Sequence, residues 1–244
     1  MPLRIGTCGW QYDDWRGAFY PADVPKRAWL ATYAESFDTV ECDNAFYRLP
    51  TRQTFEKWAA ALPDGFAMAV KASRFLTHVK RLRDPAEPVK RLVDACEGLG
   101  DRLGPILLQL PPTMKADADR LDACLRRFPP SLRLAVEPRH ETWFTDEIRA
   151  LLERRHASLV WSDRLGKAVG PAWRTTEWGY LRLHEGRSTF PPDYTASALR
   201  RWRERIAETW RARDEVFVYF NNDPGGAAPR NAKALLNMGN QASS

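Results

Sequence analysis

The sequence predicts an α/β fold, a single (β/α)8 TIM-like barrel, on three observations. Short apolar runs alternate with longer amphipathic runs from end to end, which demands parallel strands joined by helical crossovers. Eight such apolar runs fit in a chain of 244 residues, the usual length of one closed barrel. No G-x-G-x-x-G follows the first strand to favour an open doubly wound sheet. No linker composition divides the chain either, so residues 1–244 are expected to form one domain.

The strands are expected, in order, at residues 3–7, 39–43, 66–71, 106–110, 132–137, 159–163, 180–184 and 216–221, each a short apolar run. Amphipathic segments at residues 26–36, 51–61, 85–99, 116–128, 142–155 and 195–213 are expected as helices, with a last helix at about residues 229–238. Between residues 164 and 177, where the sixth crossover belongs, the helix is weak or missing, because Gly166, Gly170 and Pro171 interrupt it.

Within the strands the period is two. Leu181 and Leu183 share one face, and Tyr180, Arg182 and His184 the other; Phe217, Tyr219 and Asn221 oppose Val216, Val218 and Phe220. With the aliphatic face under the helices, the other face ends in Glu41, Lys71, Gln109, Glu137, Asp163, His184 and Asn221. All seven fall at C-terminal strand ends, where α/β active sites are built. A shared position of that kind points to a polar functional mouth.

Composition bounds the rest. Hydrophobic residues make up 44% and charged residues 28% of the chain, the balance of a soluble globular protein. No apolar run reaches the roughly 18 residues of a membrane span, and no signal-peptide core follows Met1, so a cytoplasmic, membrane-free protein is expected. Cys8, Cys42, Cys96 and Cys124 are scattered with no C-x-x-C, which argues against a zinc knuckle or a disulfide framework. The net charge of +6 raises nucleic acid as a partner. Its arginines, however, are spread along the chain beside acids, as on a solvated surface.

The stretches IGTCGWQYDDWRGAFYP, FDTVECDNAFYRLP, AMAVKASRFLTHVKRL, LGPILLQLPPTMK, LAVEPRHETWF, GYLRLHEG and VYFNNDPGGAAPRNA run in order between residues 5 and 232. Together the chain resembles the domain-of-unknown-function 72 family, the YecE-like TIM-barrel proteins. The resemblance implies a TIM-like barrel and brings no settled activity, cofactor or catalytic assignment. Cys8 stands where the family pattern commonly has serine, Pro138 where it has Phe, and residues 42–45, Cys-Asp-Asn-Ala, where Ile-Asn-Ser-Thr is usual. Asp43 therefore adds a negative charge beside Glu41.

The chemistry these residues can support is acid/base. Glu41, Glu137 or Asp163 would serve as base, with His184 and Lys71 completing a catalytic set. Arg139 and Arg182, with Gln109, His140, Asn44 and Asn222, would hold a small polar anionic ligand, a phosphate or carboxylate. Trp10, Tyr12, Tyr47 and Tyr219 would pack or stack around it. His78, in the loop after Lys71, lies where the run HVKR can contact anions. A hydrolase or lyase acting on such a ligand is the first reading. A nucleic-acid-binding or repair protein that uses the same basic, aromatic-lined mouth, with metal-dependent phosphodiester hydrolysis in one version, is the second. No cofactor is required by these residues. A divalent metal on Glu41, Glu137, Asp163 and His184 is the lesser reading, because the arginines compete for the carboxylates.

At the C-terminal end, the strand at residues 216–221 stops at Asn221-Asn222-Asp223. The following helix would aim free N–H groups at an anion, with Asn221 rather than Asp223 as the ligand contact.

Overall fold

The computed structural model describes residues 2–186 and 192–240. In chain order its elements are β1 (Leu3–Thr7), α1 (Trp29–Ala34), β2 (Thr39–Cys42), α2 (Asn44–Tyr47), α3 (Arg52–Ala60), β3 (Ala67–Lys71), α4 (Ala86–Cys96), β4 (Leu103–Gln109), α5 (Ala118–Leu125), β5 (Leu134–Glu137), α6 (Asp146–Arg154), β6 (Ala157–Leu159), β7 (Trp161–Arg164), β8 (Lys167–Val169), β9 (Gly179–Leu183), α7 (Ala196–Thr209), β10 (Val216–Phe220) and α8 (Ala227–Asn240). None of the helices among the described residues is long and apolar enough to cross a membrane.

The strand-helix alternation is there, but the single closed (β/α)8 barrel is not. The strands form two five-stranded sheets, a mixed one in the order β1-β10-β9-β7-β8 and an all-parallel one in the order β2-β3-β4-β5-β6. A barrel needs an unbroken circuit of ladders, and the circuit fails at two places. The expected sixth strand is divided: β6 pairs with β5, whereas β7 pairs with β9. The other edge of β7 is taken by β8, which folds back antiparallel through the pair Arg164↔Lys167. Leu165 and Gly166 make that turn with φ of 50° and 72°, the left-handed pair that a two-residue hairpin requires. The second failure lies between β1 and β2, where one isolated bridge, Cys8↔Glu41, stands in place of a ladder.

The chain groups into two compact units. Unit 1 comprises Met1–Glu41, Trp161–Val169 and Glu177–Ser244; unit 2 comprises Cys42–Val160 and Gly170–Thr176. In unit 1, β9 and β10 are buried along their whole length, as strands covered on both faces must be. Aromatic packing fills the space beside them: Tyr20 stacks on Trp29 with centroids 4.8 Å apart and planes 7° from parallel. The Tyr33 hydroxyl is a fixed post, accepting from Thr7 N at 2.9 Å and donating to Thr39 O at 3.1 Å. Gly6 leaves room for this arrangement, since a Cβ there would lie 2.2 Å from Thr39 O.

In unit 2 three helices begin at side-chain caps. Thr51, Asp117 and Thr145 accept from the backbone N–H of Thr54, Arg120 and Ile148 to start α3, α5 and α6. The faces they bury carry Phe55, Leu121, Leu125, Ile148 and Leu151. β4 and β5 run parallel in register from Ile106↔Leu134 to Gln109↔Glu137, which sets the two polar strand ends side by side.

Gly6→Ala is expected to destabilise the protein by about 1–3 kcal/mol or more, the range of overpacking in a tight core. Urea unfolding measures it; an unchanged midpoint would contradict the close approach at Thr39.

Candidate functional site

Unit 1 holds a fully buried ion pair. Arg182, from β9, donates from Nε to Glu41 Oε2 at 3.0 Å and from Nη2 to Oε1 at 2.8 Å. Tyr180, two residues earlier on the same face, donates its hydroxyl to Oε2 at 2.6 Å. Neither partner of the pair has any solvent exposure. The Cys8 thiol sulfur also accepts from Arg182 Nη2 at 3.5 Å. Tyr219 bonds to the Thr39 hydroxyl at 2.7 Å. Burial, followed by the Glu41 charge, holds the Tyr180 hydroxyl well above its ordinary pKa, so it remains a donor. The Glu41 carboxylate is thus committed to a guanidinium and a phenol, which works against its serving as a metal ligand.

Asp163 lies in a second polar cluster of unit 1. Its carboxylate accepts from the Tyr194 hydroxyl at 2.7 Å and from the backbone N–H of His184 at 2.8 Å. Burial pushes its pKa up, and those hydrogen bonds pull the other way. His184 Nδ1 accepts from the Asn221 amide at 2.9 Å, so its ring proton sits on Nε2. A cavity of about 410 Å³ opens beside Asp163 and Tyr194, with Arg201, Trp202 and Arg205 of α7 in its wall.

Other expected ligand contacts in unit 1 have structural partners. The amide of buried Asn222 donates to Asn231 Oδ1 at 2.7 Å and to Pro192 O at 3.1 Å. Tyr12 donates to Cys8 O at 2.6 Å. Trp10 is buried, and its carbonyl accepts from Tyr20. At the start of the last helical segment the backbone N–H of Gly225 donates to the Asp14 carboxylate at 2.8 Å. A side chain of the chain itself therefore meets the N–H expected to greet an anion.

In unit 2 the ends of β3, β4 and β5 present Lys71, Gln109 and Glu137, all nearly buried. Lys71 Nζ is 3.3 Å from Asp43 Oδ1 and sits 4.5 Å above the centre of the Phe46 ring. Arg139 donates to one oxygen of Glu137 at 3.2 Å, and the exposed part of its side chain faces solvent. His140 caps the next turn by accepting from Thr142 N. Asn44 and Tyr47 lie on α2, both exposed.

The loop after β3 contains the residue that the strand-end pattern passes over. Phe75–Val79 is a π-helical turn, a rare form that recurs at functional sites. Just beyond it Arg81, Leu82 and Asp84 all have positive φ, at 48°, 62° and 42°, a strained run for residues with side chains. This turn carries His78. Burial first, then the charges of Lys71, Arg74, Arg139 and Arg81, lower its pKa, so the imidazole is neutral at pH 7. The Thr77 hydroxyl donates to Ser73 O at 3.1 Å and therefore accepts His78 Nδ1–H at 2.9 Å. That leaves the lone pair on Nε2 available for a proton.

The profile of the family described as "Protein of unknown function DUF72" matches residues 4–244. The chain belongs to the DUF72 family. It is 25% identical to the UPF0759 protein YunF of Bacillus subtilis (strain 168), over 97% of this chain and 94% of that protein. It is similar in structure to a DUF72 protein of Thermotoga maritima, with a TM-score of 0.85 and 25% identity over 98% of this chain and 100% of that one. A DUF72 protein of Enterococcus faecalis shares the fold at a TM-score of 0.81 and 20% identity, over 98% of this chain and 95% of that one. Cys8 lies beside Arg182 in this structure, and Asp43 beside Lys71.

Arg182→Met takes the guanidinium away from a buried carboxylate and is expected to cost about 3–5 kcal/mol in urea unfolding. Adding Glu41→Leu is expected to recover a large part of that loss. A double variant as unstable as the sum of the two single ones would show that the pair is not coupled.

Proposed function

We propose that the protein is an acid/base enzyme acting on a small phosphate- or carboxylate-bearing molecule, bound by the cationic groups around His78 in unit 2. The observation that carries this reading is the environment of that imidazole. Lys71, Arg74, Arg81 and Arg139 all bear on it, while the carboxylates paired with these cations, Asp43 and Glu137, offset part of their charge. Such an excess of positive charge around a neutral base is what an anionic ligand would complete.

In this reading Lys71 and Arg139 hold the anion, and His78 Nε2 takes a proton from the bound molecule or from water. Glu137 positions Arg139 through its buried carboxylate. Gln109, beside Glu137 in the sheet register, adds an amide at the same strand ends. Glu41 and Arg182 are left out, since each is committed to the other away from solvent.

Two measurements test the reading. His78 titrates below the ordinary histidine value of about 6.5 in the free protein, by NMR. Saturating inorganic phosphate is expected to raise that pKa, because the anion offsets the surrounding cations. The sign for stability follows. With its pKa lowered on folding, His78 contributes stability that is fully present above the ordinary value and is lost as pH falls from there through the lowered folded value. Lys71→Met is expected to keep the thermal unfolding transition and weaken phosphate binding by about tenfold or more, the scale of a charge-assisted hydrogen bond. A His78 pKa indifferent to phosphate, together with unaltered binding by Lys71→Met, would place the site elsewhere.

A further inference from the structure

Large apolar side chains are seldom left in water together without a use. In unit 2, Tyr47 is 82% exposed and Phe75 52%. Both line a groove of about 500 Å³, with Phe46, Leu49, Ser73 and Pro88 completing its apolar and small-residue wall. The charged groups on its rim are matched within their own segments, Lys80 with Asp84 at 3.3 Å and Arg91 with Glu87 at 2.7 Å. The groove therefore offers rings and aliphatic surface with little net charge.

Phe46 joins this groove to the cationic site. Lys71 Nζ lies over its face at 4.5 Å, the His78 ring meets it nearly perpendicular at 4.9 Å, and Tyr47 meets it nearly perpendicular at 5.1 Å. Ser73 is also shared, lining the groove while its carbonyl accepts from Thr77 in the π-turn. An anion held at Lys71 thus has an aromatic-walled trough beginning one ring away.

We propose that the ligand is a small anion carrying a planar aromatic ring, its phosphate or carboxylate at Lys71 and Arg139 and its ring against Tyr47 and Phe75. This rests on the anion-binding reading of the His78 site. An aliphatic tail would fill the same volume, but aromatic rings in the wall reward a planar π-system through offset or edge-to-face contact. Phenol and phenyl side chains have only two rotatable bonds each, so they lose little entropy on contact.

The test uses isothermal titration calorimetry on the full chain with three probes: inorganic phosphate, cyclohexyl phosphate and 1-naphthyl phosphate. Naphthyl phosphate is expected to bind about tenfold or more tighter than cyclohexyl phosphate, the scale of stacking on aromatic side chains. In the Tyr47→Ala/Phe75→Ala variant, whose replaced side chains are exposed, the preference is expected to vanish while inorganic phosphate binds as before. Equal binding of the two organic phosphates, or a preference that survives the double replacement, overturns the ring assignment and leaves the anion site standing. Failure of all three phosphates to bind overturns the anion site and the ring assignment together. A single-stranded oligonucleotide that binds more tightly than naphthyl phosphate, with steep salt dependence, overturns the small-molecule assignment in favour of a polymer.

Discussion

In unit 1 a guanidinium and a carboxylate lie wholly out of water, and that fact restricts everything around them. Two charges this deep are tolerable only when their hydrogen-bonding forks meet and the remaining lone pairs find donors. Arg182 supplies two N–H groups and Tyr180 a hydroxyl to Glu41. That requires β9 to hold its register against β10, since a slip of one residue would turn Tyr180 and Arg182 to the opposite face. The pairs Phe217↔Tyr180 and Tyr219↔Arg182 record the register that results. Such a pair contributes little net stability against an apolar substitute. What it does is exclude the alternatives, because any other alignment leaves a charge buried alone.

The two units use charge in opposite ways. In unit 1 several buried polar groups are paired with one another: Glu41 with Arg182, Asp163 with Tyr194, and the Asn222 amide with Asn231. In unit 2 the cations that act on His78 outnumber the carboxylates paired with them. Excess charge at a solvent-accessible place creates a potential that an incoming ion can lower, whereas a closed network has nothing left to offer. The proposed site therefore falls in unit 2, although the polar strand ends are found in both.

Much of this was legible in the sequence. Alternation located most of the strands to within a few residues, and the amphipathic segments at residues 51–61, 116–128 and 142–155 contain α3, α5 and α6. Which strands share a ladder was not legible. Residues 159–163 show the same period of two whether they form one strand or divide at Val160, because alternation reports faces and says nothing of hydrogen-bonding edges. The Leu165-Gly166 turn was the available signal, and it read only as a weak helix. Polar character at Glu41 and Arg182 was visible; that they consume each other was not, because they lie 141 positions apart in the chain. His78 drew notice for its basic neighbours in sequence. Its environment, however, depends on Arg139, far along the chain, and on a π-turn with no sequence signature of its own.

The carboxylate of Asp14 against the N–H of Gly225 has a meaning beyond its one hydrogen bond. A group held by the fold beside its partner does not dilute away, so its effective concentration is set by the geometry and not by the solution. The start of the last helical segment is therefore occupied by an internal competitor that never diffuses away. A free anion would have to displace that carboxylate to reach this N–H. Where the chain provides its own counter-ion an outside anion has less to gain, and the proposed site lies instead where the chain's own acids are fewer than its cations.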